Sequence, residues 1–355
     1  VGKVFGALNG NREEIVNKAA ASEAEMTKLE VSSSPHIAGD DTTAKIMWTV
    51  SATLAPAACA AVYFFGFEAF AVISVCIVSA VLTEVAMQKL MGREITVADG
   101  SAFLTGLLLA FNLPSCIPLW AAALGSIFAI VIAKQLFGGL GNNIFNPALV
   151  GRAFLLASWP RIMTTWPVPG PMKSTMTALG LDAATMATPL AMLKEGRGEE
   201  LLRYFGSKSQ LYIHLFWGNC SGCLGETAAV LLILGGLFLI YKRYIDWQIP
   251  AVYVGTVGLI SLIFGGRGFF QGDVLFHVLS GGLMLGAFYM ATDMVTIPIT
   301  LNGRIIFAAG CGVLTVLIRL KGGYPEGVCY AILLMNALTP LLDARIKPRP
   351  YGASR

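Results

Sequence analysis

The chain has 355 residues, 55% of them hydrophobic and 13% charged, with a formal net charge of +4. Soluble domains carry about 25% charged residues, so a water-soluble globular protein is excluded. The small positive excess is spread over loops without a basic stripe, which argues against nucleic acid as a partner.

Residues 1–25, "VGKVFGALNGNREEIVNKAAASEAE", are polar and contain no apolar stretch of the kind a secretory signal needs. Two readings stand here: a surface helix over Arg12–Val31, or an extension ahead of a start at Met26. Beyond it, windows apolar enough to cross a bilayer lie at 46–65, 69–88, 118–137, 223–241, 249–265, 273–292, 303–320 and 327–343. Two shorter stretches, 100–113 and 144–159, are bounded by Gly, Asn or Pro. The expected fold class is therefore an all-α integral membrane protein of about ten transmembrane helices.

Ten spans put both termini on one side. That side receives Lys45, Lys89, Arg93, Lys134, Lys242, Arg243, Arg304, Arg345, Lys347 and Arg349, while the opposite loops "FGFEA" and "NLPSCIP" hold no basic residue. Arg267, Arg319 and Lys321 run against the trend. Basic residues favour cytoplasmic loops, so both termini are expected in the cytoplasm. The chain then divides into a cytoplasmic segment 1–43, a first helical half 44–159, an extracytoplasmic loop 160–222, a second half 223–343 and a cytoplasmic tail 344–355. A loop that long is rarely a simple linker.

The chain also resembles itself. "FLTGLLLAF" (103–111) aligns with "LMLGAFYMA" (283–291), and "KQLFGGLGNNIFNPAL" (134–149) with "IRLKGGYPEGVCYAIL" (318–333). The offset is about half the chain, so five spans per half turn the second copy upside down. Two inverted five-helix repeats are expected, an architecture of transporters.

The long loop carries "GLDAATMATPLAMLK" (180–194), with Asp182, Thr185 and Thr188 at three-residue intervals before Pro189. The plain reading is a helix cap, a Thr or Asp oxygen accepting free N–H groups ahead of a first-turn proline. The sharper reading makes the Thr188 hydroxyl the acceptor of a covalent phosphoester. Ionisable residues within apolar spans are functional candidates by default: Glu84, the most interior, Asp293 in "MATD", and Asp343 and Glu226 at span ends, where anchoring or capping also accounts for them. His36, His214 and His277 are too scattered for a metal set, and His277 reads as a satisfied helical residue one turn after Asp273. Cys220 and Cys223 form a lone Cys-x-x-Cys, open to a redox dithiol, half a metal site or neither. "NNIFNPAL" (142–149) reads as a capped helix entrance, with Pro147 in its first turn, packed where the halves meet.

"SSSPHIAGDDTTAKIMWTVSATLAPA" (32–57), "GNNIFNPALVGRAFLLASWP" (141–160), "MTTWPVPGP" (163–171), "DAATMATPL" (182–190) and "GAFYMATDMVTIP" (286–298) together resemble the D subunit of the Rnf complex, from about residue 30 to the C-terminus. The B subunit of the sodium-pumping NADH:quinone reductase shares much of this and is the nearest alternative. A small-solute channel or permease is the alternative from another class.

The resemblance implies an electron-transfer subunit of an ion-translocating ferredoxin:NAD+ oxidoreductase in a bacterial or archaeal cytoplasmic membrane. FMN would be esterified to Thr188 by an extracytoplasmic flavin transferase that recognises Asp182, Thr185, Ala187 and Thr188. Met186 stands where glycine is common in that motif. No side-chain nucleophile, general base or metal is implied. The expected partners are a second FMN-bearing subunit, a cytoplasmic NAD-binding subunit, the transferase and the lipid membrane. Glu84 and Asp343 match acidic positions implicated in sodium uptake by the quinone reductase, and a second, noncovalent riboflavin is a further expectation from that relative. The resemblance leaves Na+ and H+ both open.

Overall fold

The computed structural model describes residues 41–170, 185–226, 229–266, 268–323 and 326–347. The surface helix read at Arg12–Val31 and the motif residue Asp182 lie outside them. The described residues from 43 onwards form one compact unit, whose regular elements are helices apart from one isolated bridge between Pro167 and Thr185.

Two long apolar helices open the unit: α1 (Thr43–Phe65) and α2 (Phe67–Leu90), separated by Gly66 at φ +71°. Hydroxyls within α1 return to its own carbonyls, Thr49 to Lys45 at 2.6 Å and Ser51 to Met47 at 2.9 Å. An apolar helix thereby carries polar residues without leaving them unpaired. α3 (Ser101–Phe111) has 11 residues, about 16 Å at 1.5 Å per residue and roughly half a bilayer core. It lies so close to α2 that a Cβ on Gly106 would come within 2.7 Å of the Cys76 carbonyl oxygen. α4 (Leu119–Phe128) runs on into a π-helical turn at Ala129–Gln135. α5 (Pro147–Ser158) starts at Asn146, whose side chain accepts from Ala148 and Leu149.

The segment after the short α6 (Pro160–Met163) folds around its own apolar cluster. α7 (Pro189–Lys194), α8 (Gly198–Phe205) and α9 (Lys208–Trp217) bury Leu190, Met192, Leu201, Phe205, Leu211 and Leu215 together with Phe276. The described part of the long loop is thus a small packed layer rather than a linker.

The second half contains α10 (Ala229–Tyr241), α11 (Gln248–Phe264), α12 (Val274–Leu279), α13 (Leu283–Leu285, continuing as a π-helical turn over Gly286–Met290), α14 (Leu301–Lys321) and α15 (Val328–Arg345). The span expected at 273–292 is broken. Ser280 turns extended, and Gly281 and Gly282 take φ of +73° and +67°, which favour glycine. The break leaves hydropathy untouched, so the apolar window runs straight across it.

α1, α2, α14 and α15 are long and apolar enough to cross a membrane, with only 22–39% of their apolar windows buried within the protein. Their outward faces carry residues such as Leu82, Leu317, Leu334 and Leu341, all more than half exposed. Such a surface suits lipid or a partner protein rather than water. Five other apolar helices are shorter, 10–17 residues each. α10 packs on α1, α15 on α5, and α14 along α11.

Candidate functional site

Thr188 sits at a junction that local chemistry fixes. Met186 donates its N–H to the Trp166 carbonyl at 3.0 Å, drawing residues 185–187 alongside 166–168. Thr188 is extended (φ −60°, ψ 151°), and its Oγ1 accepts from Ala191 N–H at 3.2 Å, with Pro189 in the first turn of α7. The hydroxyl therefore caps α7. It is only 2% exposed and faces a void of about 10 Å³ bordered by Pro189, Leu215, Cys220, Glu226 and Ser280. Thr185 is exposed.

On the other side of the same segment, Ala187 and Ala191 border a cavity of about 310 Å³ that also meets Arg152, Trp166, Glu326 and Tyr330. Ligand pockets usually begin near 300 Å³ and combine apolar or aromatic walls with a few polar groups. Its wall includes two aromatic side chains and a guanidinium, whereas the Thr188 hydroxyl borders the smaller void.

Behind this cavity lies a buried charge network. Arg152 on α5 pairs with Glu326 and donates to Asn112 Oδ1 at 2.8 Å, at the C-terminal end of α3. Arg319 on α14, 3% exposed, spends its fork on backbone: Nε to Glu326 at 3.2 Å, Nη2 to Ser280 at 2.8 Å, and Nη1 to the His277 carbonyl. Cys223 Sγ lies 3.5 Å from the Asn112 carbonyl and 3.8 Å from Glu326. Cys223, Glu226 and Glu326 are close enough to share an ion. Of the two carboxylates, Glu326 is already engaged by the Arg152 guanidinium. Cys220 and Cys223 are buried free thiols.

The other end of α3 carries a second buried cluster. Lys134, in the π-helical turn after α4, donates to Glu84 Oε2 at 2.8 Å and to Ser101 Oγ at 2.6 Å. Both members of the pair are 1% exposed. Gln135 and Gln88 add bonds to Glu84 at 3.1 and 3.3 Å. Lys134 also borders a cavity of about 90 Å³ with Ser101, Asn143, Asn146, Thr292 and Asp293. Asp293 is held loosely, at 3.4 Å from both Val295 N and Thr296 Oγ1. Asp343 is elsewhere, accepting from Ile299 N–H at 3.0 Å in a half-exposed position at the end of α15. The three acids of the expected ion path thus separate: Glu84 is paired, Asp293 lines a cavity, and Asp343 braces a helix end.

His277 corrects the sequence reading. It is 3% exposed, and neither ring nitrogen makes a well-aligned hydrogen bond. Asp273 instead caps Phe276 and accepts from the Tyr212 hydroxyl on α9. Burial, and then the Asp273 carboxylate, push the Tyr212 phenol up to about 12. The entrance at residues 142–149 is capped as read: Asn146 caps α5, and its Nδ2 reaches the Met290 carbonyl at 3.4 Å.

A family model described as the NQR2, RnfD, RnfE family matches residues 30–352. The chain belongs to this family. Among its relatives is the D subunit of a proton-translocating ferredoxin:NAD+ oxidoreductase complex from Clostridium ljungdahlii, 55% identical over 92% of this chain and 96% of the relative. The D subunit of a Na+-translocating ferredoxin:NAD+ oxidoreductase complex from Acetobacterium woodii is 48% identical, over 92% and 96%. The D subunit of an ion-translocating oxidoreductase complex from Stutzerimonas stutzeri is 41% identical, over 87% and 92%.

Sequence reasoning misses the basic half of both clusters. By sequence Lys134 falls among the loop charges and Arg319 among the exceptions to the trend, whereas both are buried. Arg152 lies within the apolar stretch 144–159. The available signal is the one that singles out the acids: an ionisable residue inside a span.

Proposed function

We propose that this family member is the D subunit of an ion-translocating ferredoxin:NAD+ oxidoreductase complex, with FMN esterified to Thr188. The observation that carries the reading is near full-length identity of 55% and 48% to the D subunits of two such complexes, together with a Thr188 whose neighbours Ala187 and Ala191 border a cavity of about 310 Å³. The isoalloxazine, when bound, supplies the one- and two-electron chemistry, and the protein supplies position and electrostatics. Thr188 holds the phosphoester; Trp166 and Tyr330 offer apolar faces; Arg152 places positive charge where reduction adds negative charge. In the bare chain Thr188 is occupied as a cap, so attachment requires α7 to lift and the hydroxyl to turn towards the larger cavity.

The same reading places ten passes in two inverted halves. It is supported by like elements pairing across the molecule, α1 with α10 and α5 with α15. The third element of each half, α3 and α12–α13, is short or broken at an offset of about 180 residues. The Thr188 layer then faces outwards and the Lys134 cavity the cytoplasm, with the other redox subunits supplying and accepting electrons. On this reading the ion step, for Na+ or H+, lies at the cytoplasmic end beside Lys134, Glu84 and Asp293.

The test is co-expression with a flavin transferase, followed by a denaturing gel viewed under ultraviolet light. A fluorescent band that Thr188→Ala abolishes supports the reading. A dark band with active transferase removes the electron-transfer role and brings the permease alternative forward.

A further inference from the structure

The cavity at the Ser101 end of α3 has more acidic than basic side chains around it. Glu84 and Lys134 pair with each other at 2.8 Å, which leaves the Asp293 carboxyl as the further acidic group on the wall among the described residues. Asn143, 5% exposed, points a buried Oδ1 with no hydrogen-bond partner into the same lining set. Both π-helical turns, Ala129–Gln135 and Gly286–Met290, border this one space through Lys134 and Tyr289. Such turns inside helices are frequent at functional sites. The Lys134 ammonium has three donors and commits two, to Glu84 and Ser101.

We infer that the cavity holds one exchangeable unit positive charge at Asp293, a hard monovalent cation or a proton, and that Lys134 is a tethered cation which Glu84 holds back from that position. Glu84 is then a positioning residue and not an ion ligand. An ammonium on a flexible four-carbon stem is a mobile point charge, so its place is set by whichever carboxylate attracts it more. With Glu84 ionised, Lys134 stays at Ser101, and Asp293 with the Asn143 amide oxygen remains open. With Glu84 neutral, Lys134 turns to Asp293 and fills the site itself. The other titratable groups nearby are Tyr244 and Tyr289 on the cavity wall and Asp99, which accepts from Ser101 at 2.7 Å and reaches solvent.

The inference rests on the ion-translocating reading and is tested on the purified complex in detergent. The melting midpoint is followed against NaCl, with choline chloride holding ionic strength constant, and against pH in choline chloride alone. A sodium response identifies the cation, and a pH response alone identifies the proton. Glu84→Gln should raise the half-saturating sodium concentration at least tenfold, or lower the pH midpoint by at least one unit. Adding Lys134→Met to Glu84→Gln should restore the wild-type value to within threefold, although Glu84 is still missing.

If Glu84→Gln does not fold, the double variant alone decides against wild type, because its half-saturating concentration should stay within threefold, or its pH midpoint within half a unit, although Glu84 is missing. A double variant as impaired as Glu84→Gln makes Glu84 itself the ligand and overturns the inference, as does an unchanged Glu84→Gln. Redox-driven uptake of Na+ or protons by reconstituted wild type, with no cation or pH response in any variant, overturns the inference alone. Absence of uptake by wild type overturns the reading beneath it.

Discussion

The two ends of the molecule each bury a basic side chain near the last turn of a helix, and they use it differently. Arg319 donates to the backbone of His277, Ser280, Gly281 and Glu326. Lys134 meets one carboxylate and one hydroxyl beside an open cavity. A planar guanidinium with five donors suits carbonyls fixed in several directions, whereas an ammonium concentrates its charge and can turn. The Arg319 end therefore holds the broken α12–α13 connection in one shape beside Thr188, while the Lys134 end is built to change.

Breaking the Arg319 clamp should have the largest effect. Arg319→Met strips four carbonyls of their donor, at about 1–3 kcal/mol each, and should yield no monodisperse protein by size exclusion. Arg319→Lys should fail nearly as badly, since one ammonium cannot span the same carbonyls. A well-folded Arg319→Lys would show that charge alone suffices there and remove the contrast.

At the other end, Lys134→Met leaves Glu84 buried and unpaired, which costs about 3–5 kcal/mol. The combination with Glu84→Gln should recover most of that melting-point loss. Replacing both members of a buried pair by groups of similar size is often close to neutral, so a double variant no better than Lys134→Met would mean the pair also holds α2 and α4 in register.

The smallest effect belongs to the outer layer. Tyr212→Phe removes a hydrogen bond to a carboxylate, worth about 1.5–3 kcal/mol when charged, and discounted here because part of the layer is open to solvent. The Tyr212 phenol is raised in the folded state, so its contribution is complete below the unfolded value near 10 and fades as pH rises through about 12. The melting-point gap between wild type and Tyr212→Phe should close over that interval.

Much of the fold is legible in the sequence because hydropathy reports what lies in lipid: the long windows of α1, α2, α14 and α15 fall within a few residues of the observed helices. The break at Ser280–Gly282 is not, because it depends on two left-handed glycines held by Arg319, a contact across 38 residues to Gly281. The π-helical turns leave no periodic trace in so uniformly apolar a sequence. At the site, Thr188 as a cap follows from a Thr-Pro junction alone. Its burial beneath Leu215 and Cys220 does not, because those neighbours arrive from α9 and the segment after it. The acids in the spans are visible as acids, but their separate fates depend on which basic residue folds back on them. Lys134 reaches Glu84 across 50 residues.

The measurement that bears most directly on a flavin at Thr188 is peptide mapping by mass spectrometry of the chain purified from its native membrane. A peptide spanning Thr188 should carry the mass of FMN less water, with fragment ions placing it on that threonine. The same peptide recovered unmodified from an active complex, or flavin found on another residue, would contradict it.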